Sequence, residues 1–316
     1  MKTSYCLLSA IVGFAVCLCV TGSVYAQNAG TQAAPAHVLL VTVEARHGSA
    51  VPEIGPRDVM VYEGHDRDQV VDLVPAQGEH AALELVILLD DGSNSRLGSQ
   101  LDELRQFISA QPASTKIGVA YMQNGTAKVE QNLTSDHALA AKALRLPMGI
   151  GGINASPYFS VSDLVKRWPE STARREVLMV SDGIDRYYGS GDLQDPYLDA
   201  AIEDATRAGI VVYAIYNPGA GHFGHSYWQT YWGQIYLSRL AEETGGEGYY
   251  IGLTGNPVSF DPFLEDMGRH LGNQYWVTFN AKPPKKNGWQ RIKVTTEVSN
   301  AELVAPSRVW VSAATP

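Results

Sequence analysis

Between residues 83 and 271 the sequence alternates short apolar runs with segments of helical periodicity. The predicted strands are 83–89, 116–123, 127–133, 176–181, 210–216 and 248–251, and the predicted helices are 97–110, 135–146, 161–168, 193–208, 235–244 and 259–271. Strands that alternate with helices form a mostly parallel sheet covered on both faces. The Asn124-Gly125 pair indicates one antiparallel hairpin. The sequence therefore predicts a doubly wound, Rossmann-like α/β fold.

Both flanks of this α/β region have β patterns. The predicted strands of the flanks are 37–45, 58–63, 69–74, 275–281, 290–297 and 308–312. Two short β flanks are each marginal alone, so we expect them to pair into one small β-sandwich; two separate β appendages are the alternative. The predicted divisions are a first β segment at 37–80, an α/β domain at 81–272 and a second β segment at 273–316.

The first 26 residues have the pattern of a secretory signal peptide. Lys2 precedes an apolar run at 5–20, and a small-residue cleavage site ends at Ala26. Residues 27–36 then read as a flexible linker. The apolar run is shorter than the roughly 18 residues of a membrane helix, which disfavours an uncleaved anchor; no lipobox supports a lipoprotein. We expect a bacterial protein exported to the periplasm or the medium, with no membrane span after cleavage.

Charge and cysteine content exclude several functions. The chain has 24 Lys and Arg against 33 Asp and Glu, a formal net charge of −9, which repels phosphate backbones and argues against nucleic-acid binding. The last of its three cysteines is Cys19. The mature protein would therefore contain no disulfide, thiolate metal site or cysteine nucleophile.

Acidic residues follow two of the predicted parallel strands, at the sheet edge where such folds bind ligands. Asp91, Ser93 and Ser95 form a D-x-S-x-S pattern that places a carboxylate and two hydroxyls on one side of an extended loop. Asp182, in the S-D-G turn after 176–181, would add a second carboxylate. Oxygen ligands of this kind suit Mg²⁺, or Mn²⁺ or Ca²⁺. The alternative is turn and helix-cap chemistry without a metal.

This combination resembles the metal-ion-dependent adhesion site of the von Willebrand factor type A (VWFA) family. The segments VPEIGPRDVMVYEG and LAEETGG make the chain more similar to the VWFA-related proteins of Acidobacteria, over roughly residues 37–312. The resemblance implies a Mg²⁺ ion bound directly by Ser93 and Ser95, with Asp91 and Asp182 near it, partly through water. An Asp or Glu of a partner protein would complete its coordination.

Two positions depart from the family pattern. The family takes a threonine ligand from a third loop, after a glycine, but here Ile153 stands at that position and offers no ligand oxygen. Asn154 and Ser156 are the possible substitutes. Asp90 stands where the family usually has an apolar residue; it would either add negative charge to the site or cap a neighbouring loop.

A second candidate feature is the aromatic loop predicted at 218–233, after the strand 210–216. Its five aromatic residues are Phe223, Tyr227, Trp228, Tyr231 and Trp232. Aromatic side chains dominate binding energy at many interfaces, so this loop would contact a protein or a carbohydrate. The alternative is that some of these residues begin the next helix and pack inward. His222 and His225 in the same loop are expected to be solvated rather than metal-bound.

These features predict an exported, non-enzymatic, adhesion-type VWFA protein that captures an acidic partner residue through Mg²⁺. The first alternative is a VWFA scaffold with a degenerate metal site that binds through its aromatic loop alone. Enzyme chemistry is disfavoured because the sequence has no G-x-S-x-G elbow, H-E-x-x-H helix or P-loop. A divalent-metal hydrolase built on Asp90, Asp91 and Asp182 is the remaining enzyme hypothesis.

Overall fold

Two β-sheets organise the chain. The structure is a computed structural model that describes residues 36–92, 97–149, 152, 155–189, 194–218, 226–250, 258–281 and 286–313. The strands are β1 (Ala36–Ala45), β2 (Val59–Glu63), β3 (Asp66–Pro75), β4 (Leu83–Asp90), β5 (Thr115–Gln123), β6 (Thr126–Thr134), β7 (Arg174–Ser181), β8 (Ile210–Tyr216), β9 (Gly248–Tyr249), β10 (Gln274–Asn280), β11 (Gly288–Thr296), β12 (Ala301–Val304) and β13 (Arg308–Val311). The α-helices are α1 (Gly98–Ala110), α2 (His137–Lys142), α3 (Pro157–Arg167), α4 (Pro196–Ala208), α5 (Tyr227–Thr244) and α6 (Asp261–Gly272).

The central sheet has the strand order β6-β5-β4-β7-β8-β9. Its strand pairs are parallel except for the β5–β6 hairpin. Successive residues of β4 point into two different cores: Leu85 and Ile87 pack on the side of α1 and α6, whereas Val86 packs on the side of α3, α4 and α5. Helices therefore cover both faces, and the predicted doubly wound α/β fold is confirmed.

The strand order reverses its direction between β4 and β7. From β4 the chain moves outward to β5 and β6, and it then returns to β7 and continues the other way to β8 and β9. The loops that follow β4 and β7 consequently leave the sheet on opposite sides. Such a switch point opens a crevice at the carboxyl ends of the strands, and both acidic turns of the sequence lie there.

The second sheet joins strands from both ends of the sequence. It has the order β12-β1-β10-β3-β2-β11-β13, and β1 pairs with β10. One face encloses its own apolar core, which includes Val41, Val61 and Phe279. On the other face, the register partners Leu40 and Trp276 pack against the core of the central sheet. The two β flanks thus share one sheet and are not separate appendages, while the exact domain divisions stay predictions.

All six helices differ from their predicted bounds, by one to eight residues, and capping residues explain the starts of α2 and α5. Helix α2 starts at His137 rather than 135, because Asp136 caps it by accepting a hydrogen bond from the Leu139 amide at 3.0 Å. It also ends earlier than expected, at Lys142. Helix α5 starts eight residues before the predicted 235, at Tyr227, because Ser226 and Gln229 form a capping box. Strand β12 was not predicted.

In the part of the chain that the structure describes, no helix is both long and apolar enough to cross a membrane. The predicted signal peptide at 1–26 and all but the last residue of the predicted linker at 27–36 lie outside the described residues. Export therefore stays a prediction from the sequence.

Candidate functional site

The carboxyl edge of the central sheet, defined by the ends of β4, β7, β8 and β9, brings three aspartates together. Because β4 pairs with β7 in parallel, with Leu89 opposite Val180, the residues that follow the two strands are neighbours. Asp91 and Asp182 are both completely buried. Across the same strand pair, the Ser181 hydroxyl donates a hydrogen bond to Asp90 at 3.1 Å.

Asp91 is the residue with the most polar contacts at this edge. Its Oδ1 accepts hydrogen bonds from Arg145 Nη1 at 2.7 Å and from the Met148 amide at 2.9 Å. Its Oδ2 accepts from Arg145 Nη2 at 3.1 Å and from the side-chain amide of Gln123. Burial alone would raise the pKa of Asp91, but the hydrogen bonds from Arg145, Gln123 and Met148 outweigh it and hold the pKa below its ordinary value.

Arg145 is itself held in place by the neighbouring strands. The Tyr121 hydroxyl, on β5, donates to the Arg145 carbonyl and accepts from the Arg145 amide, both at 2.7 Å. The guanidinium carbon lies 3.8 Å from the centre of the Tyr121 ring. Glu130, on β6, accepts a further bond from Nη2 at 3.3 Å. The hydrogen bond to Asp91 raises the pKa of Arg145 further, so this pair is fully ionised at neutral pH.

Asp182 forms an ion pair with a second arginine, Arg186, four residues further along the chain. Arg186 Nη2 donates to Asp182 Oδ2 at 2.5 Å, and the Ile184 amide donates to Oδ1 at 3.0 Å. Helix α5 packs directly on this turn through Gly233. A Cβ atom at that position would lie 2.1 Å from the Asp182 carbonyl oxygen, so only glycine permits the approach.

Asp90 serves the turn that follows β4. It accepts a hydrogen bond from the Gly92 amide at 2.8 Å in addition to the one from Ser181. Burial, and next the negative charge of Asp182, raise the pKa of Asp90 to about 6. Asp90 thus bonds its own turn through Gly92 and the adjacent strand through Ser181, and its part in a metal site stays a prediction.

Ser156 is the one further predicted ligand that falls within the described residues. Ser156 is buried and caps α3, since its hydroxyl accepts from the Phe159 amide at 3.3 Å and donates to Asp185 at 2.7 Å. The remaining positions of the predicted site lie outside the described residues; these are Ser93, Ser95, Ile153, Asn154, His222, Phe223 and His225.

The described carboxylates do not fit a resident divalent cation in this geometry. An ionised carboxylate has roughly four lone-pair positions, and four donors occupy those of Asp91. Within the described ranges, no group of three His, Cys, Asp or Glu side chains is placed to hold a metal ion. A metal-bound form would require Asp91 to release Arg145.

The predicted aromatic loop is partly helix. Tyr227 and Trp228 occupy the first turn of α5, with 56% and 66% of their surface exposed. Tyr231 is half-buried, and Trp232 packs onto the core with its ring 5.8 Å from that of Tyr236. The four described aromatic residues therefore follow both expectations in part: Tyr227 and Trp228 are exposed, Trp232 packs inward, and Tyr231 lies between them with ring contacts to Trp228 and Trp232.

Exposed apolar side chains concentrate at the same edge. Of the twelve large apolar residues that are exposed in the described ranges, eight lie beside Asp91 or in segments next to the ends of β7, β8 and β9; they are Leu146, Met148, Tyr187, Tyr188, Tyr227, Trp228, Tyr250 and Val258. We call these eight residues the edge patch. Sequence reasoning missed six of them, although the Tyr187-Tyr188 pair, soon after the S-D-G turn, was a readable signal.

Comparison with known proteins gives fold-level likenesses. No protein-family model matches the chain, and no curated protein matches it. Solved structures similar to it include an aerotolerance-related membrane protein from Bacteroides fragilis (17% identity over 60% of this chain and 98% of that one, TM-score 0.40). A second similar structure is the SpRpn10 VWA domain, with 14% identity over 59% of this chain and 94% of that one and a TM-score of 0.32. A third is the manganese-loaded TRAP protein of Plasmodium vivax, with 12% identity over 78% of this chain and 100% of that one and a TM-score of 0.39.

These neighbours include VWA-domain proteins, but every one of these TM-scores is below 0.5. The fold is therefore assigned from the strand order and register of the chain itself. The relation to the VWFA-related proteins of Acidobacteria stays a prediction.

Proposed function

We propose that this chain is an exported, non-enzymatic protein-binding module of VWFA architecture, and that it holds its partner through the edge patch without a divalent cation. One observation carries the proposal: eight of the twelve exposed large apolar residues in the described ranges lie at the carboxyl edge. Clustered apolar exposure of this kind marks interaction sites on soluble proteins.

The composition of the edge patch fits a protein partner. It contains Tyr, Trp and Met, which are enriched at protein interfaces. Tyr227 and Trp228 stand on the first turn of a capped helix, so binding them costs little backbone ordering. The partner would offer a complementary apolar surface with hydrogen-bond acceptors for the tyrosine hydroxyls and the indole N–H.

Mg²⁺-dependent capture of an acidic partner residue is the second candidate. The D-x-S-x-S pattern at 91–95 and the position of Asp182 on the adjacent strand favour it. Against it stands the Arg145 guanidinium, which takes two of the acceptor positions of Asp91. The two candidates differ in their response to EDTA, which affects only the second.

The test is capture of partners from a bacterial envelope extract, followed by affinity measurement with the captured protein. The double variant Tyr227→Ser/Trp228→Ser should bind at least about 30-fold more weakly, as expected for loss of a hot spot worth 2 kcal/mol. Val71→Ser is the matched control, because Val71 is 54% exposed but lies on β3 in the other sheet. Binding should be unchanged by EDTA.

Two results would contradict the proposal. Equal affinity of the double variant and of Val71→Ser would show that the edge patch does not hold the partner. Loss of binding in EDTA and in Asp91→Ala, with the double variant still binding normally, would favour Mg²⁺-dependent capture instead.

A further inference from the structure

We infer that Arg145 is a built-in counter-cation of the carboxyl edge, which occupies Asp91 and thereby keeps divalent metal ions out. This rests on the metal-free part of the proposed function and deepens it, because it names the side chain that takes the place of a cation at the edge. Asp91, the first carboxylate of the D-x-S-x-S pattern, would then bind a side chain of the protein instead of a metal ion.

The geometry of the pair leaves no place on Asp91 for a metal ion. Arg145 binds the carboxylate with both terminal nitrogens, at 2.7 and 3.1 Å, in the fork arrangement that suits a carboxylate best. The Met148 amide and the Gln123 side chain take the two remaining positions. A cation could reach Asp91 only by displacing one of these donors, and the positive charge of the nearby guanidinium would repel it.

Contacts with residues other than Asp91 also hold Arg145 in position. The Tyr121 hydroxyl fixes both backbone groups of Arg145, and the Tyr121 ring lies against the guanidinium. Glu130 holds the outer side of the same guanidinium. The Arg145 side chain is thus held by residues of two strands of the central sheet, β5 and β6. A cation that replaced it at Asp91 would have to displace it from these contacts as well.

The second aspartate of the edge follows the same principle. Arg186 forms an ion pair with Asp182 at 2.5 Å. Two arginines therefore supply the positive charge that a divalent cation would otherwise bring to Asp91 and Asp182. They differ in one respect that the experiment uses: Arg145 comes from a segment beyond α2, whereas Arg186 lies in the same turn as its partner.

The test titrates MnCl₂ into the full-length mature protein by calorimetry, with the wild type, Arg145→Ala and Arg239→Ala. Arg239 is the matched control: its side chain is 31% exposed against 29% for Arg145, and it also bonds two carboxylates, those of Asp199 and Glu243. For the wild type and Arg239→Ala we expect no measurable heat of binding at about 1 mM Mn²⁺. Specific divalent-cation sites have dissociation constants up to about this concentration. Arg145→Ala should bind Mn²⁺ at least tenfold more tightly.

Micromolar Mn²⁺ binding by the wild type would overturn the inference, and so would an Arg145→Ala variant that is folded but binds no better than the wild type. If Arg145→Ala does not fold, Arg145→Gln, which keeps a donor but no charge, replaces it. A third readout uses the wild type alone: Mn²⁺ should not broaden the NMR signal of the Met148 amide, and selective broadening there would refute the blocked site. None of these outcomes depends on the partner test above.

Discussion

Buried charges lie at both ends of the central sheet, and the two ends use them differently. At the carboxyl edge, Arg145 and Arg186 come from loops and pair with aspartates that follow strands. At the amino edge, the end of the sheet where β4 and β7 begin, Arg174 and Glu176 both lie within β7. Arg174 donates to the carbonyls of Leu271 and Ala81 and to the Gln274 side chain.

The two sets of charged residues differ in the parts of the molecule that they connect. The carboxyl-edge pairs lie in the loops that carry half of the edge patch, namely Leu146, Met148, Tyr187 and Tyr188, and their arginines are partly open to solvent. The amino-edge charges are buried, and Arg174 connects β7 to Gln274 at the start of β10 in the second sheet. A buried ionisable residue is therefore not by itself a sign of a binding site; its neighbours in space decide which role it has.

The largest expected effect is on the amino edge. Arg174→Met should lower the free energy of unfolding by about 3–5 kcal/mol, because it leaves the Leu271 and Ala81 carbonyls and the Gln274 side-chain oxygen without their donor. Arg145→Met should cost about half as much, since Asp91 keeps the bonds from Gln123 and Met148. Urea denaturation of both variants measures the difference. Equal losses would mean that the two edges do not differ in the way described.

The next effect is a pH dependence that belongs to the amino edge. Burial raises the pKa of Glu176 from 4.5 to about 7, although Arg174 and Gln274 act in the opposite direction. The folded state therefore holds this proton more tightly than the unfolded state, and the resulting stabilisation is complete below pH 4.5 and is lost as the pH rises through 7. Relative to Glu176→Gln, the wild type should lose about 3 kcal/mol between pH 4 and pH 8.

Thermal or urea unfolding of the wild type and Glu176→Gln across that pH range provides the measurement. The difference in unfolding free energy between the two proteins is the relevant quantity, because other carboxyl groups titrate equally in both. Parallel pH profiles would show that Glu176 is not the group responsible.

The smallest effect should be confined to the carboxyl edge. Tyr121→Phe removes both hydrogen bonds to the Arg145 backbone but keeps the ring against the guanidinium, so a loss of about 1–2 kcal/mol is expected. Hydrogen exchange at the amides of Arg145 and Met148 should accelerate more than exchange in the core strands. Tyr249→Phe, which removes a hydroxyl bond from the end of β9 to Asp266 on α6, should leave those two amides unchanged.

The fold could be predicted from the sequence because its strands are dense apolar runs. Ile210–Tyr216 was placed to the residue, and β4 differed from its prediction by one residue. The start of α5 was missed, although its capping residues, Ser226 and Gln229, are visible in the sequence. The predicted loop extended through residue 233, and the structure supports the alternative that some of its aromatic residues begin the next helix.

The site could be predicted only in part. Topology alone placed Asp91 and Asp182 at one edge, since parallel neighbouring strands end together. The arginine partner of Asp91 could not be found in the same way, because Arg145 lies 54 residues from Asp91 and reaches it only through the tertiary fold. Nothing in the local pattern around Arg145 distinguishes it from an ordinary surface arginine.

The contacts of Arg174 have a consequence for how such a chain can be recombined. Ala81 and Gln274 stand at the two points where the backbone passes between the sheets, and one side chain from the middle of the intervening segment bonds both. A gene rearrangement that exchanged residues 81–272 for a foreign α/β module would break this three-way junction. A module chosen for such an exchange must therefore supply its own donor to the Ala81 carbonyl and to the Gln274 side chain.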